Sequence, residues 1–210
     1  MTTSTRTNDG TADHIQRRYP RRDTLRSGRE IVLRLMAEED RERFLTFARN
    51  LPPDDLLYLR WDITDDRVVN NLILSMRLNR NITVLAFGDG DEIIGEAALT
   101  HSETDWTRHI GDIRIIVSPG ARGEGLGRYL AEEIFVAAEI LGLERLSAQM
   151  TNDQVGAQAV FRGLGFEPVA LLPGFVIARD GQKHDLLVMA YDVASRSGPA
   201  TPQEPGKAPS

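Results

Sequence analysis

The chain has no cysteine, which excludes disulfides, a thiolate nucleophile and Cys-ligated metals. Cysteine-protease chemistry, zinc fingers and any ping-pong transfer through a thiol are excluded with them. No stretch approaches the ~18 consecutive apolar residues that a membrane span requires, so no membrane partner is expected. The first twenty residues are polar, with no apolar run behind a basic start. A secretory leader is therefore not expected, and a cytoplasmic address is the default expectation. The four histidines, His14, His101, His109 and His184, show no metal-ligand spacing; they are expected to be structural or on the surface, and no metal is expected. What is present is 210 residues, 41% hydrophobic and 27% charged, an ordinary globular composition sized for one domain with tails.

Charge is uneven along the chain. Residues 1–29 hold seven Arg and three Asp, a net of +4, whereas residues 30–194 carry 16 basic against 27 acidic groups, a net of −11. An acidic body repels polyphosphate and favours cationic partners, so nucleic-acid binding by the folded body is not expected. Residues 1–28 are rich in Thr, Arg, Asp and Gly with scattered apolar positions, and read as a disordered basic arm. Residues 195–210 contain four Pro and almost nothing apolar, and read as a disordered Pro-rich tail. The folded domain is expected over residues 29–194.

Within that domain, residues 31–35 read as a strand and 37–49 as a helix with Phe44, Phe47 and Ala48 on one face. Pro52-Pro53 ends this helix, Asp54 is placed to cap a second one, and residues 68–78 form a third amphipathic piece. Two apolar runs, 82–87 and 93–99, flank Gly88-Asp89-Gly90-Asp91-Glu92, a hairpin signal. A strand over 109–117, a long helix over 125–141, a strand over 145–150, a helix over 154–164 and strands over 166–172 and 184–193 complete the pattern. This is an α+β (mixed α/β) chain with a largely antiparallel sheet of about seven strands. Trp61 and Trp106 are expected to be packing residues, with Trp106 also a candidate to line an acceptor pocket.

The most informative stretch is the apolar strand ending at Val117, then Ser118-Pro119-Gly120-Ala121 and Arg122-Gly123-Glu124-Gly125-Leu126-Gly127-Arg128. The helix that follows carries Leu126, Leu130, Ile134, Ala137 and Leu141 on one stripe. A glycine-rich turn at a helix start leaves backbone N–H groups open at the positive end of the dipole, which suits a phosphate or pyrophosphate. A Walker loop would need Gly-Lys-Ser/Thr where Gly127-Arg128-Tyr129 stands. The dinucleotide fingerprint would need a sixth-position glycine where Arg128 stands. The pattern left is Arg-x-x-Gly-x-Gly, in which Arg122-Gly123-Glu124-Gly125-Leu126-Gly127 resembles the acetyl-CoA pyrophosphate loop of the GNAT superfamily of N-acetyltransferases.

Two further landmarks carry the same resemblance. Phe161-Arg162-Gly163-Leu164-Gly165-Phe166 is similar to the helix-to-strand junction of that family. Asn152 sits where the family often has an asparagine touching the pantetheine arm. The resemblance covers about residues 30–193 and is strongest over 93–167. A finer one links Leu51-Pro52-Pro53-Asp54 through Leu59-Arg60, Gly111-Asp112-Ile113 and Gly181-Gln182-Lys183-His184-Asp185-Leu186 to the GNAT domain of bacterial protein-lysine acetyltransferases. It does not establish a protein substrate, because small-amine acetylators share the framework.

The resemblance implies a twisted sheet flanked by helices and splayed between its fourth and fifth strands, with acetyl-CoA in the gap. Backbone groups of Ile115, Ile116 and Val117 would hold the pantetheine and the acetyl carbonyl. Arg122, Gly123, Glu124, Gly125, Leu126, Gly127 and Arg128 would hold the pyrophosphate, and Asn152 and Phe161 would line the pantetheine. The expected reaction is acetyl transfer to a primary amine, a small amine or a protein lysine, by direct attack in a ternary complex. The cationic amine must lose a proton before it attacks, and Asp112 and Glu96 are the candidate bases. In the family a tyrosine commonly protonates the thiolate where this chain has Phe161, so Ser118, Tyr191 or water would have to substitute. That departure keeps open the alternative of a catalytically weak acyl-CoA-binding regulatory module.

Overall fold

The computed structural model describes residues 8–57, 59–178 and 181–196. Eight strands form one sheet in the order β1-β2-β3-β4-β5-β6-β8-β7. They are β1 (Arg21–Thr24), β2 (Glu30–Leu35), β3 (Asn81–Phe87), β4 (Ile93–His101), β5 (Ile110–Val117), β6 (Arg145–Thr151), β7 (Glu167–Ile177) and β8 (Lys183–Asp192). Every neighbouring pair is antiparallel except β5 and β6. The helices are α1 (Asn8–Gln16), α2 (Arg41–Arg49), α3 (Pro53–Leu57), α4 (Asp66–Arg77), α5 (Leu126–Leu141) and α6 (Val155–Gly163).

The central strands β3 and β4 are buried almost throughout, because helices cover both faces and no solvent face is left to alternate with the core one. One core layer joins Leu33, Val84, Ala97, Leu99 and Ile113 to Leu126, Leu130 and Ile134 of α5. The other joins Leu85, Phe87 and Ile116 to Phe44, Phe47 and Ala48 of α2 and Val69 and Ile73 of α4. The acidic segment Gly88–Glu92 is the β3–β4 turn, with Gly90 at φ 72°. The helix expected over 37–49 is a 3-10 turn, Glu38–Asp40, running into α2. Asp40 anchors the junction by accepting both terminal nitrogens of Arg34 at 2.6 Å and the Ala37 N–H at 2.8 Å.

The N-terminal segment departs from expectation. Residues 8–24, read as part of a disordered arm, form α1 and the edge strand β1, which brings the sheet of about seven expected strands to eight. Few apolar residues suffice because two are fully used: Ile15 and Leu25 are buried in the α5-side core. Polar pairing does the rest. The buried Glu133 of α5 accepts from Tyr19 Oη (2.9 Å), Arg21 Nη1 (2.6 Å) and Arg18 Nη2 (3.4 Å). Burial, with the Glu133 carboxylate alongside, pushes the Tyr19 phenol far above its ordinary value, so it stays a donor. Arg18 and Arg21, two of the arginines that suggested an exposed basic arm, are thus paired within the domain, and residues 8–196 carry a net charge of −7. Residues 1–7 and 197–210, the remainder of the expected arm and most of the expected tail, lie outside the described residues.

Candidate active site

The sheet splits between β5 and β6, the fourth and fifth strands that the resemblance implies once the additional N-terminal strand β1 is counted. β5 and β6 are paired in parallel at only three positions, Ile110 with Arg145, Gly111 with Leu146 and Asp112 with Ser147. Beyond Asp112, β5 is paired only with β4, and beyond Ser147, β6 only with β8. The Ser118 N–H donates to the Ile94 carbonyl at 2.9 Å, which sets the alternation of β5. Ile116 directs its backbone to β4, while Ile115 and Val117 direct theirs into the gap. Of the three strand residues expected to hold pantetheine, Ile116 is therefore used by the sheet. Its side chain is buried in the α2/α4 core.

At the open end of β5 a 3-10 turn, Pro119–Ala121, leads into the glycine loop and then into α5. Gly123 (φ 78°) and Gly125 (φ 93°) take left-handed backbone that side chains resist. Gly127 differs. It is helical, and a Cβ there would meet nothing nearer than Val117 Cγ2 at 3.8 Å, so nothing within the protein requires glycine at that position. Gly125 caps α5 without a side-chain hydrogen bond. The N–H groups of residues 123–127 have no acceptor among the described residues. Such a cradle of open donors, lacking side-chain obstruction, fits a pyrophosphate. Arg122 is turned to the Val117 carbonyl (3.1 Å) and to Asp55, and Arg128 pairs with Glu132 at 3.1 Å. The Glu124 carboxylate accepts from Ser27 Oγ at 2.8 Å, and the Leu126 side chain is core.

The two candidate bases share one sheet face, in the registers Glu96–Ile116, Ala98–Arg114 and Thr100–Asp112. They differ in access. Glu96 is fully buried and accepts from Arg114 Nε at 2.7 Å, with Nη2 at 3.4 Å. Arg114 carries no mark in the sequence beyond the alternation that puts it on the face of Asp112; the β4–β5 register is what brings it to Glu96. Asp112 is exposed and stands at the root of the split, opposite Ser147. The neighbouring polar positions form a chain that runs from the core to the surface: the buried Thr83 Oγ1 donates to Asn81 Oδ1 (2.7 Å), and Asn81 Nδ2 to Oγ1 of the exposed Thr100 (2.9 Å).

On the β6 side, Asn152 is exposed, its backbone held by Asp185 and Gln158. The Thr151 hydroxyl is buried without a hydrogen-bond partner at the open end of β6; no sequence signal separates it from an ordinary strand threonine. Phe161 is buried, edge-on to Phe166 with ring centroids 5.1 Å apart. Tyr191 does not reach the gap. It pairs with Leu146 at the joined end of β6 and stacks on Phe135 at 4.7 Å, which removes it as a proton donor to a thiolate. Trp61 and Trp106 are not packing residues, being 60% and 87% exposed.

His101 is partly buried, and burial lowers its pKa below the ordinary value despite a bond with the Asn79 backbone and the nearby Glu103. His184 Nδ1 lies 2.6 Å from Asp153 Oδ2. Among the described residues, no group of three or more His, Asp or Glu side chains could hold a metal. No helix among them is long and apolar enough to cross a membrane. A cavity of about 460 Å³, lined in part by Ile15, Tyr19, Met36, Met76, Ile82 and Leu141, lies at the far end of α5, about 24 Å of helix from the glycine loop.

Residues 34–166 match the model of the Acetyltransferase (GNAT) family. Over 83 residues the chain is 28% identical to the Bacillus subtilis (strain 168) protein named "Putative phosphinothricin acetyltransferase YwnH", covering 40% of this chain and 50% of that protein. The chain thus spans about half the length of this curated relative. The GNAT domain of S. lividans PAT superposes with a TM-score of 0.68 at 18% identity, covering 82% of this chain and 96% of that one. A GNAT-family acetyltransferase from Streptococcus pneumoniae gives 0.67 at 20% identity, over 77% and 99%. The structure of yncA from Salmonella typhimurium, solved with acetyl-CoA, gives 0.64 at 19% identity, over 81% and 98%. The solved structures bear on the fold, and the family match spans well over half the sequence: the chain belongs to the acetyltransferase (GNAT) family.

Proposed function

We propose that the protein transfers an acetyl group from acetyl-CoA to a cationic primary amine, with both substrates bound together and no acyl-enzyme. The observation that carries this reading is the glycine cradle of α5 opening beside a strand, β5, whose Ile115 and Val117 backbone groups face an unpaired gap. Strand N–H groups directed at the acetyl carbonyl would stabilise the charge that develops on its oxygen. Asp112 is the better-placed base, because Glu96 is buried and tied to Arg114. Asp112 would take the proton of the ammonium, directly or through water, before the nitrogen attacks the carbonyl carbon and the C–S bond breaks. Phe161 has no proton to give, so the leaving sulfur takes one from water or from the Ser118 hydroxyl.

The net charge of −7 over residues 8–196 favours polyamines, aminoglycoside-like amines or lysine-bearing peptides over acidic acceptors. The test is calorimetry with CoA followed by thiol release from acetyl-CoA against such a panel. CoA binding is expected, with release highest for cationic amines and weakened by salt. Glutamate-like acceptors reacting best, without salt dependence, would remove the charge argument. Phe161 favours a second reading, an acyl-CoA-binding regulatory module. CoA binding with no thiol release on any amine would select it.

A further inference from the structure

The segment that packs against the start of α5 has no part in the chemistry above, yet it is fastened to the glycine loop at several points. β1 ends in a tight turn closed by Leu25 N–H to the Arg29 carbonyl and Gly28 N–H to the Leu25 carbonyl, both 2.9 Å. Arg26 N–H then donates to the Glu124 carbonyl at 3.2 Å, and Ser27 Oγ to the Glu124 carboxylate at 2.8 Å. Tyr129 Oη, in the first turn of α5, donates to the Thr24 carbonyl at 3.3 Å. The result sets the Arg26 side chain over Gly125. A Cβ on Gly125 would lie 3.5 Å from Arg26 Nε and 3.8 Å from its Cγ and Cδ.

The arginines around this loop are not equivalent. Arg122 is held by Asp55 and the Val117 carbonyl, Arg128 by Glu132 and Arg29 by Glu92. The Arg26 guanidinium has no hydrogen-bond or ion-pair partner among the described residues. The one acidic side chain within the loop, Glu124, accepts from Ser27. An unpaired guanidinium held beside a helix start with open N–H groups is suited to an anion bridging the two.

We infer that Arg26, carried in by the β1–β2 turn, is a further ligand of the CoA pyrophosphate, so that the N-terminal segment forms one wall of the cofactor site. This rests on the acetyl-CoA reading given above. The experiment is calorimetry of wild type, Arg26→Ala and Arg26→Lys with CoA and with 3′-dephospho-CoA. Arg26→Ala is expected to weaken both ligands equally, by about three- to tenfold for a solvent-accessible arginine–phosphate contact, and to make affinity less sensitive to salt. Arg26→Lys should recover part of the loss, since it restores a point charge but not the fork. Melting temperature should not change, because the guanidinium has no partner to lose. Affinity of Arg26→Ala within twofold of wild type overturns the inference while leaving the acetyl-CoA reading intact. Loss for CoA but not for 3′-dephospho-CoA would move the contact to the 3′-phosphate and overturn the pyrophosphate assignment. A wild-type protein that binds neither ligand would sink the acetyl-CoA reading and this inference together.

Discussion

Replacing Glu133 by alanine is expected to release the N-terminal segment. Three donors converge on this carboxylate, whose side chain is 1% exposed: Tyr19 Oη at 2.9 Å, Arg21 Nη1 at 2.6 Å and Arg18 Nη2 at 3.4 Å. The tyrosine bond counts in full, at ~1.5–3 kcal/mol for a hydrogen bond to a charged group. The arginine side chains are 41% and 32% exposed, so screening reduces each to about 0.5 kcal/mol or less. Together these make docking of the segment weaker by about 1.5–4 kcal/mol. Trypsin in native buffer reads this directly, because Arg17, Arg18, Arg21 and Arg22 all lie in the segment. Where cleavage follows the open population, the first cut should be faster by about 10- to 700-fold, one decade for each ~1.4 kcal/mol. Glu133→Gln, which keeps a neutral acceptor, should fall between wild type and Glu133→Ala. A Glu133→Ala protein cut within threefold of the wild-type rate would refute the reasoning, since Ile15, Leu25 and strand pairing alone would then hold the segment.

Gly127→Trp is expected to abolish CoA binding by calorimetry while the protein melts no earlier than wild type, because the helical backbone there accepts a side chain; unchanged affinity would remove the loop from the cofactor site. Gly125 is a poorer test, since its φ of 93° would strain any replacement. Asp112→Asn should lower turnover by ~10²–10⁴, the usual range for a lost acid–base group, with CoA affinity unchanged. Turnover within a few-fold of wild type would exclude Asp112 as the base. Burial pushes Asp40 up, but the Arg34 fork and the Ala37 N–H outweigh it and hold the carboxyl below its ordinary 3.8. A depressed folded-state pKa gives stability that is present above the unfolded value and lost as pH falls through the folded one. Asp40→Asn should therefore melt lower than wild type at pH 7, by about 1–2 kcal/mol, and the gap should close below about pH 3.8. A gap that persists unchanged at acid pH would contradict this.

The sequence alone determined the order and type of the strands and long helices from β2 to β8, because apolar periodicity and glycine punctuation are local properties. It also located the glycine loop, whose glycines are dictated by backbone conformation at residues 123 and 125, whereas nothing within the protein dictates the one at Gly127. What it did not contain was the fate of polar residues whose partners are far away in sequence. Arg18, Tyr19 and Arg21 read as a solvated arm until α5 brings Glu133 to them across more than a hundred residues. Asp112 and Glu96 read as equals until sheet register sets Arg114 beside one and leaves the other at the root of the split. Tyr191 and Trp106 likewise changed places, one stacked in the core and one in solvent. The physical reason is the same in each case. A charged or aromatic side chain has no fixed preference for core or surface until tertiary contacts supply, or withhold, the partner that offsets its desolvation.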